Sequence, residues 1–256
     1  SPDLTVEEGH KFIFRECYDS RMAVKALSEH LKKNYAGKKY FYVTTDDNWG
    51  WITEEIFRQF TDTTDKEEHK GFLIQSGSED YKYILKQAQD AATVLVLILF
   101  GQDLSLAMEQ AQDMEIKKHM SIVVPSMTVD MAESAGAEAM EGILSTTPWC
   151  WKLPFDEHYP KGIEFVKKFE QKFERYPSSS AASAYVILYQ YKEAVERAKT
   201  FDTLDVIKAL ENHKYIGLKD EQQWRAFDHQ SLQTVYAVRL KKADQVNRDK
   251  HKMDYF

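Results

Sequence analysis

The chain has 256 residues, 43% hydrophobic and 29% charged, enough to bury a sizeable core in one large or two small domains. Its net charge of −7 argues against nucleic acid as a partner, because neutralising a phosphate backbone needs a clustered basic face. The longest apolar run, Ala92–Phe100, is too short to cross a bilayer as a helix, so no direct membrane insertion is expected. The two cysteines, Cys17 and Cys150, are too few for a disulfide scaffold.

From Cys17 to Trp151 the chain alternates strand and helix. Met22, Ala26, Leu27, His30 and Leu31 share one face of a first helix. The run "YFYVTT" (40–45) predicts a strand and leads into "TTDDNWGW" (44–51), a turn rich in carboxylates and tryptophan. "GFLIQS" (71–76) predicts the second strand, and Tyr81, Ile84, Leu85 and Ala88 form the stripe of a later helix. "TVLVLILF" (93–100) is followed by a helix on Leu104, Ala107, Met108 and Ala111, then by the strands "SIVVPS" (121–126) and "GILSTT" (142–147). Runs without in-out alternation suit strands covered on both faces, and repeated β-then-α predicts an α/β fold with a doubly wound parallel sheet.

The second half is mostly helical. "PWCWKLPF" precedes a helix from about Lys161 to Arg175, stopped at Tyr176-Pro177. "SSSAASAYVILYQYKEAVERA" follows, and then a helix capped near Asp202-Thr203 that carries Leu204, Ile207 and Leu210. Only one more strand is expected, "TVYAVRLK" (234–241), whose alternation suits a sheet edge. A helix as apolar as 181–191 has to be covered on most sides. Either these helices pack on each other, or the layer they were built for lies outside this chain.

In an open parallel sheet, ligands bind beyond the carboxyl ends of the strands. The residues there are Asp46, Asp47, Asn48, Trp49 and Gly50, then Gly77 and Ser78, then Gly101, Gln102 and Asp103. Ser126, Met127 and Thr128 follow the fourth strand, and Pro148, Trp149 and Trp151 the fifth. Aromatics with a few convergent polar groups line small-molecule pockets. Trp49 is expected to line a cleft, whereas Trp51 and Trp151 either do so or close the end of a core. The sequence contains no GxGxxG, no GxxxxGK[ST] and no GxSxG, and its histidines are scattered, so no cofactor and no metal are expected. Asp46 and Asp47 could hold magnesium, but acids at a strand end more often cap the next helix.

Taken in order, these segments resemble the type I periplasmic solute-binding proteins, specifically the branched-chain amino acid (leucine/isoleucine/valine) binding family. "SPDLT" with Phe14-Arg15, "GKKYFYVTTDDNWG", "EDYKYILKQAQDAATVLVLILFGQD" and "AMEGILSTTPW" are similar to successive family segments. So are "PSSSAASAYVILYQYKEAVERA" and "FDHQSLQTVYAVRLKK". The resemblance implies two α/β lobes joined by three hinge crossings, with ligand trapped between them. Lobe two then comprises 16–147 with 234–245. Lobe one keeps 1–15 with 148–233, a mostly helical remnant whose amino-terminal part has no counterpart, as expected of a fragment or of a naturally truncated relative.

The strand-end loops and the resemblance together make Asp47, Asn48, Trp49, Phe100, Gly101, Gln102, Asp103, Ser126 and Met127 the candidate ligand-binding residues; Trp49, Phe100, Gly101, Gln102 and Ser126 are carried over from the resemblance residue by residue. Trp49 matches an aromatic that covers the ligand, and the loop at Phe100 to Gln102 matches one carrying a second aromatic contact. Ser126 stands where amino-acid binders place a glutamate for the ligand's ammonium. An ordinary branched-chain amino acid would therefore need Asp47 or Asp103 to substitute. The tryptophans point to less polar or aromatic acids. Because hinge strands run side by side, Cys17 and Cys150 are expected to be close and are candidates for a bridge. The function implied is that of a non-catalytic solute-binding component of an ABC importer, taking up an amino acid or related acid. Its partners would be the small molecule and a membrane permease, its location periplasmic or extracellular, with a lipid anchor conceivable. The alternatives are a sensor domain of a receptor kinase or chemoreceptor, and an α/β enzyme.

Overall fold

A computed structural model describes residues 2–5 and 8–256. In chain order the elements are α1 Ser20–Tyr35, β1 Tyr40–Thr45, α2 Asn48–Thr61, β2 Gly71–Ile74, α3 Lys82–Ala91, β3 Val94–Ile98 and α4 Gln102–Asp113. They continue with β4 Ser121–Val124, α5 Val129–Ala135, α6 Ala137–Met140, β5 Leu144–Thr147, α7 Leu153–Asp156, α8 Pro160–Phe173, α9 Ser179–Ala198 and α10 Thr203–Leu210. The last are β6 Lys214–Ile216, β7 Glu221–Trp224, β8 Ser231–Leu232, β9 Tyr236–Arg239 and α11 Ala243–Arg248. The chain divides into unit 1, residues 20–147 and 236–256, and unit 2, residues 2–19 and 148–235.

Unit 1 is built on a six-stranded sheet in the order β2-β1-β3-β4-β5-β9. The first five strands are parallel, as the alternation of runs predicts, and β9 closes one edge antiparallel to β5. Strands β1 and β3 are buried throughout. Tyr42, Val96 and Ile98 pack there with Val24, Leu27 and Leu31 of α1 and Phe57 of α2. Strand β2 departs from the expectation of burial on both faces. It lies at the sheet's other edge, and Phe72 and Leu73 are exposed. Between β1 and β2 the chain is pinned by Arg58 of α2, a buried cation that no periodicity signals. Arg58 donates to Glu54 Oε1 (2.7 Å) and to the carbonyls of Thr63 (3.0 Å) and His69 (2.7 Å).

Unit 2 carries α7 to α10 and a small antiparallel sheet, β6-β7-β8. No strand is expected there from the sequence because of length: β6 has three residues and β8 two, too few for a period to show. Helix caps are ordinary chemistry. Ser178 accepts from the Ala181 amide at the start of α9, and Asp202 accepts from Leu204 and Asp205 at the start of α10. Trp151 stacks on Tyr176 (3.8 Å between ring centroids) and Trp149 meets Phe165 edge-on (6.0 Å), so both tryptophans serve packing inside unit 2.

Helix α9 is only partly covered. Leu188 is 69% exposed and Tyr191 is also exposed, with Phe201 at 79% just beyond the helix. A hollow of about 290 Å³ opens beside it, lined by Phe12, Phe14, Ile187, Tyr191 and Val206 among others. Two atoms of its lining residues, Gln190 Oε1 and Trp224 Nε1, are buried without a hydrogen-bond partner among the described residues. Cys17 and Cys150 are free thiols, so the candidate bridge between them is not formed.

Candidate functional site

The order of the unit 1 sheet reverses between β1 and β3: from β1 the chain moves outward to β2, then returns to the other side for β3. The crossover helices therefore diverge at this point, which in open parallel sheets is where ligands bind, beyond the carboxyl ends of the two strands. Two of the candidate residues meet there. Trp49, in the first turn of α2, and Phe100, just after β3, pack edge to face with ring centroids 6.1 Å apart and an interplanar angle of 76°. Trp49 is half-buried against the core cluster, whereas Phe100 is 55% exposed.

The backbone that aims Trp49 is fixed by three neighbours. Asp47 caps α2, its Oδ1 accepting from the Gly50 amide (2.8 Å) while Oδ2 accepts from Thr45 Oγ1 (3.3 Å). Gly50 has no room for a side chain: a Cβ there would lie 2.1 Å from the Thr45 carbonyl oxygen. The glycine thus lets the helix start press onto the end of its own strand. Asn48 is exposed beside it.

The carboxylates of this rim hold loops. Asp46 accepts from Trp51 Nε1 (2.9 Å) and Gln75 Nε2 (2.6 Å), and Asp103 accepts from the Gly77 amide (3.0 Å) and Ser76 Oγ (3.0 Å). Asp47 and Asp103 were the two residues that could answer a ligand ammonium in place of a glutamate. Both are already hydrogen-bonded to the protein's own donors. Gln75 and Ser76 were missed in the sequence because nothing in a polar loop indicates which acid it will meet.

Gly101 opens α4 with φ +60°, a conformation that suits glycine, and no side chain caps the helix start. Gly101 and Gln102 border an open hollow of about 470 Å³ between α4 and α5, lined by polar Ser105, Glu109, Asp130 and Ser134 and by apolar Leu106 and Met131. Ser105 and Glu109, four residues apart on α4, were not singled out in the sequence, although that spacing puts them on one face. Ser126 is half-buried after β4, one strand further along the same rim. Met127 is 1% exposed, and its amide bonds to the Thr146 carbonyl (3.2 Å). Its side chain is core, so it presents no surface to a ligand in this arrangement. Among the described residues, no group of three or more His, Cys, Asp or Glu could hold a metal ion.

Solved structures with this fold are numerous, and three illustrate it. An amino acid ABC transporter substrate-binding protein from Pseudomonas fluorescens Pf-5 matches with a TM-score of 0.88 and 24% identity, over 100% of this chain and 68% of that one. A periplasmic binding protein from Burkholderia mallei matches at 0.85 and 22%, over 99% of this chain and 66% of that one. A solute-binding protein of an ABC transporter from Rhodopseudomonas palustris BisB5, solved with 3,4-dihydroxybenzoic acid, matches at 0.79 and 17%, over 94% and 66%. The chain thus spans between 66% and 68% of the length of these three. No curated protein is similar enough to count as a relative. The sequence profile of the periplasmic binding proteins matches residues 1–245, and the chain belongs to that family.

Proposed function

We propose that the chain contributes to a solute-binding protein of an ABC importer and that the rim between β1 and β3 is its ligand surface in unit 1. The observation that carries this reading is the Trp49–Phe100 pair at the point where the sheet order reverses. It offers an aromatic wall beside the uncapped start of α4, whose amides favour a carboxylate. Asp47 and Asp103 already accept from the protein's own donors, which makes the two aromatic rings the rim's main surface for a ligand body. The ligand class that suits the rim best is therefore a small organic acid with an apolar or aromatic body. The dihydroxybenzoate carried by the Rhodopseudomonas palustris protein is of that chemistry.

In this reading the protein acts by binding and not by catalysis, without a cofactor, and hands its solute to a membrane permease. Family membership implies an extracytoplasmic location, and the periplasm is our proposal. Among the described residues no helix is long and apolar enough to cross a membrane.

Isothermal titration with 3,4-dihydroxybenzoate, L-phenylalanine and L-leucine tests the proposal. The aromatic acid is expected to bind more tightly than leucine, and Trp49→Ala to weaken it at least tenfold. Binding of 3,4-dihydroxybenzoate that is unchanged in Trp49→Ala would overturn the assignment of the site.

A further inference from the structure

The chain passes out of or into unit 2 at three places: after Asp19, before Pro148 and after Val235. Within unit 2 all three passages are fastened to one short stretch, residues 230–234. The first passage runs beside it, with Arg15 bridged in parallel to Gln230 and the Ser231 amide bonded to the Arg15 carbonyl (2.9 Å). Two side-chain amides reinforce the pairing. Gln230 Nε2 donates to the Cys17 carbonyl (3.0 Å), and Gln233 Nε2 donates to the Glu16 carbonyl (2.5 Å).

The second passage is tied by Lys219. This side chain is 3% exposed, and its Nζ donates to the carbonyls of Pro148 (2.8 Å) and Thr234 (2.6 Å). Glu16 is buried in the same network, its carboxylate accepting from Ser183 Oγ and from Gln222 Nε2. Burying an ammonium and a carboxylate is costly, and an apolar pair of equal volume would generally stabilise a fold better. An ammonium that donates to main-chain carbonyls of two segments 86 residues apart in sequence, Pro148 and Thr234, has a positional role open to it that an apolar side chain lacks.

We propose that Lys219 and Gln233 are positioning residues that lock the three chain passages of unit 2 to one another. The bonds that Lys219 and Gln233 make here run from a side chain to backbone carbonyls, so they fix the path of the chain whatever side chains the passages carry. The lock's functional sense rests on the solute-binding reading, in which movement of one unit against the other has to bend these passages. Its structural content does not.

Amide hydrogen exchange of the intact chain without solute tests it. In Lys219→Met, exchange at residues 149–152 and 234–236 is expected to quicken at least tenfold, while the buried amides of α9 keep their rates. In Gln233→Ala, a half-buried site where the fold should survive, the increase is expected at residues 16–19. An even acceleration across unit 2, α9 included, would reduce Lys219 and Gln233 to general stabilisers and overturn the proposal. Unchanged passages would do the same. The arms separate: loss of solute binding with the exchange pattern intact overturns the binding reading alone.

Discussion

The guanidinium of Arg58 lies 4.0 Å from the centre of the Tyr42 ring, so a helix and the strand beneath it share a buried cation. The same group neutralises Glu54 and closes two backbone carbonyls. Removing it leaves a carboxylate and two carbonyls under-served in a low-dielectric site. Arg58→Met is expected to cost unit 1 about 3 kcal/mol in urea denaturation. Arg58→Lys should recover little, because an ammonium cannot span the fork of acceptors. Full recovery by lysine would show that charge alone mattered.

Two glycines separate crowding from backbone conformation. At Gly50 an added methyl meets a strand carbonyl, and Gly50→Ala is expected to destabilise by about 2 kcal/mol or more. At Gly101 the space is open and only the φ of +60° is strained, so Gly101→Ala should cost about 1 kcal/mol. Paired denaturation curves check the order, and a reversed order would contradict the close approach of α2 to β1.

Burial pushes the Lys219 ammonium down from its ordinary 10.5 to about 8. Between those values the unfolded chain binds more protons than the folded one, so this group's contribution makes stability rise with pH from about 8 upward. Its favourable share is complete above 10.5 and is lost as pH falls through 8. Comparing wild type with Lys219→Met between pH 7.5 and 9.5 should show the wild type gaining on the variant as pH rises. Glu16 runs the other way. Burial raises its carboxyl, so its share is complete below 4.5 and is lost as pH rises through the raised value. A wild-type advantage that does not change between pH 7.5 and 9.5 would mean that Lys219 titrates normally.

Asp103 ties the loop after β2 to the start of α4. Asp103→Ala is expected to leave global stability within about 1 kcal/mol while the Gly77 amide exchanges roughly tenfold faster. Protection at Gly77 that survives the substitution would show that the loop is held by other means.

The uncovered side of α9 makes its own prediction. Contiguous exposed apolar surface promotes association, and Leu188 and Phe201 stand well out of unit 2. Leu188→Glu with Phe201→Glu should raise the concentration at which the chain sediments as a monomer, with the unfolding midpoint little changed. Earlier association than in the parent would refute this account of the surface.

Much of unit 1 was legible because crossover helices impose long apolar runs, and such runs are what periodicity detects. Trp49 and Phe100 were legible for a related reason: their strands end where the polar turns begin. The sequence could not show what each carboxylate does. Asp47 and Asp103 look like ligand groups until their partners, Gly50, Gly77 and Ser76, are seen beside them. A residue one step past a strand end can face outward or inward, a choice that no local pattern shows, and Met127 faces in. The short strands β6 to β8 and the cation of Arg58 depend on contacts distant in sequence, which no local pattern encodes.

Strand β2 ends the sheet with a row of main-chain groups that, among the described residues, has no strand neighbour on the outer side. Such a border invites another chain to lengthen the sheet. Its reach is only four residues, Gly71–Ile74, begun by a glycine and preceded by Lys70. A visiting strand would find few rungs and a charge at the threshold, so the lamella stops growing at the rim nearest Phe72.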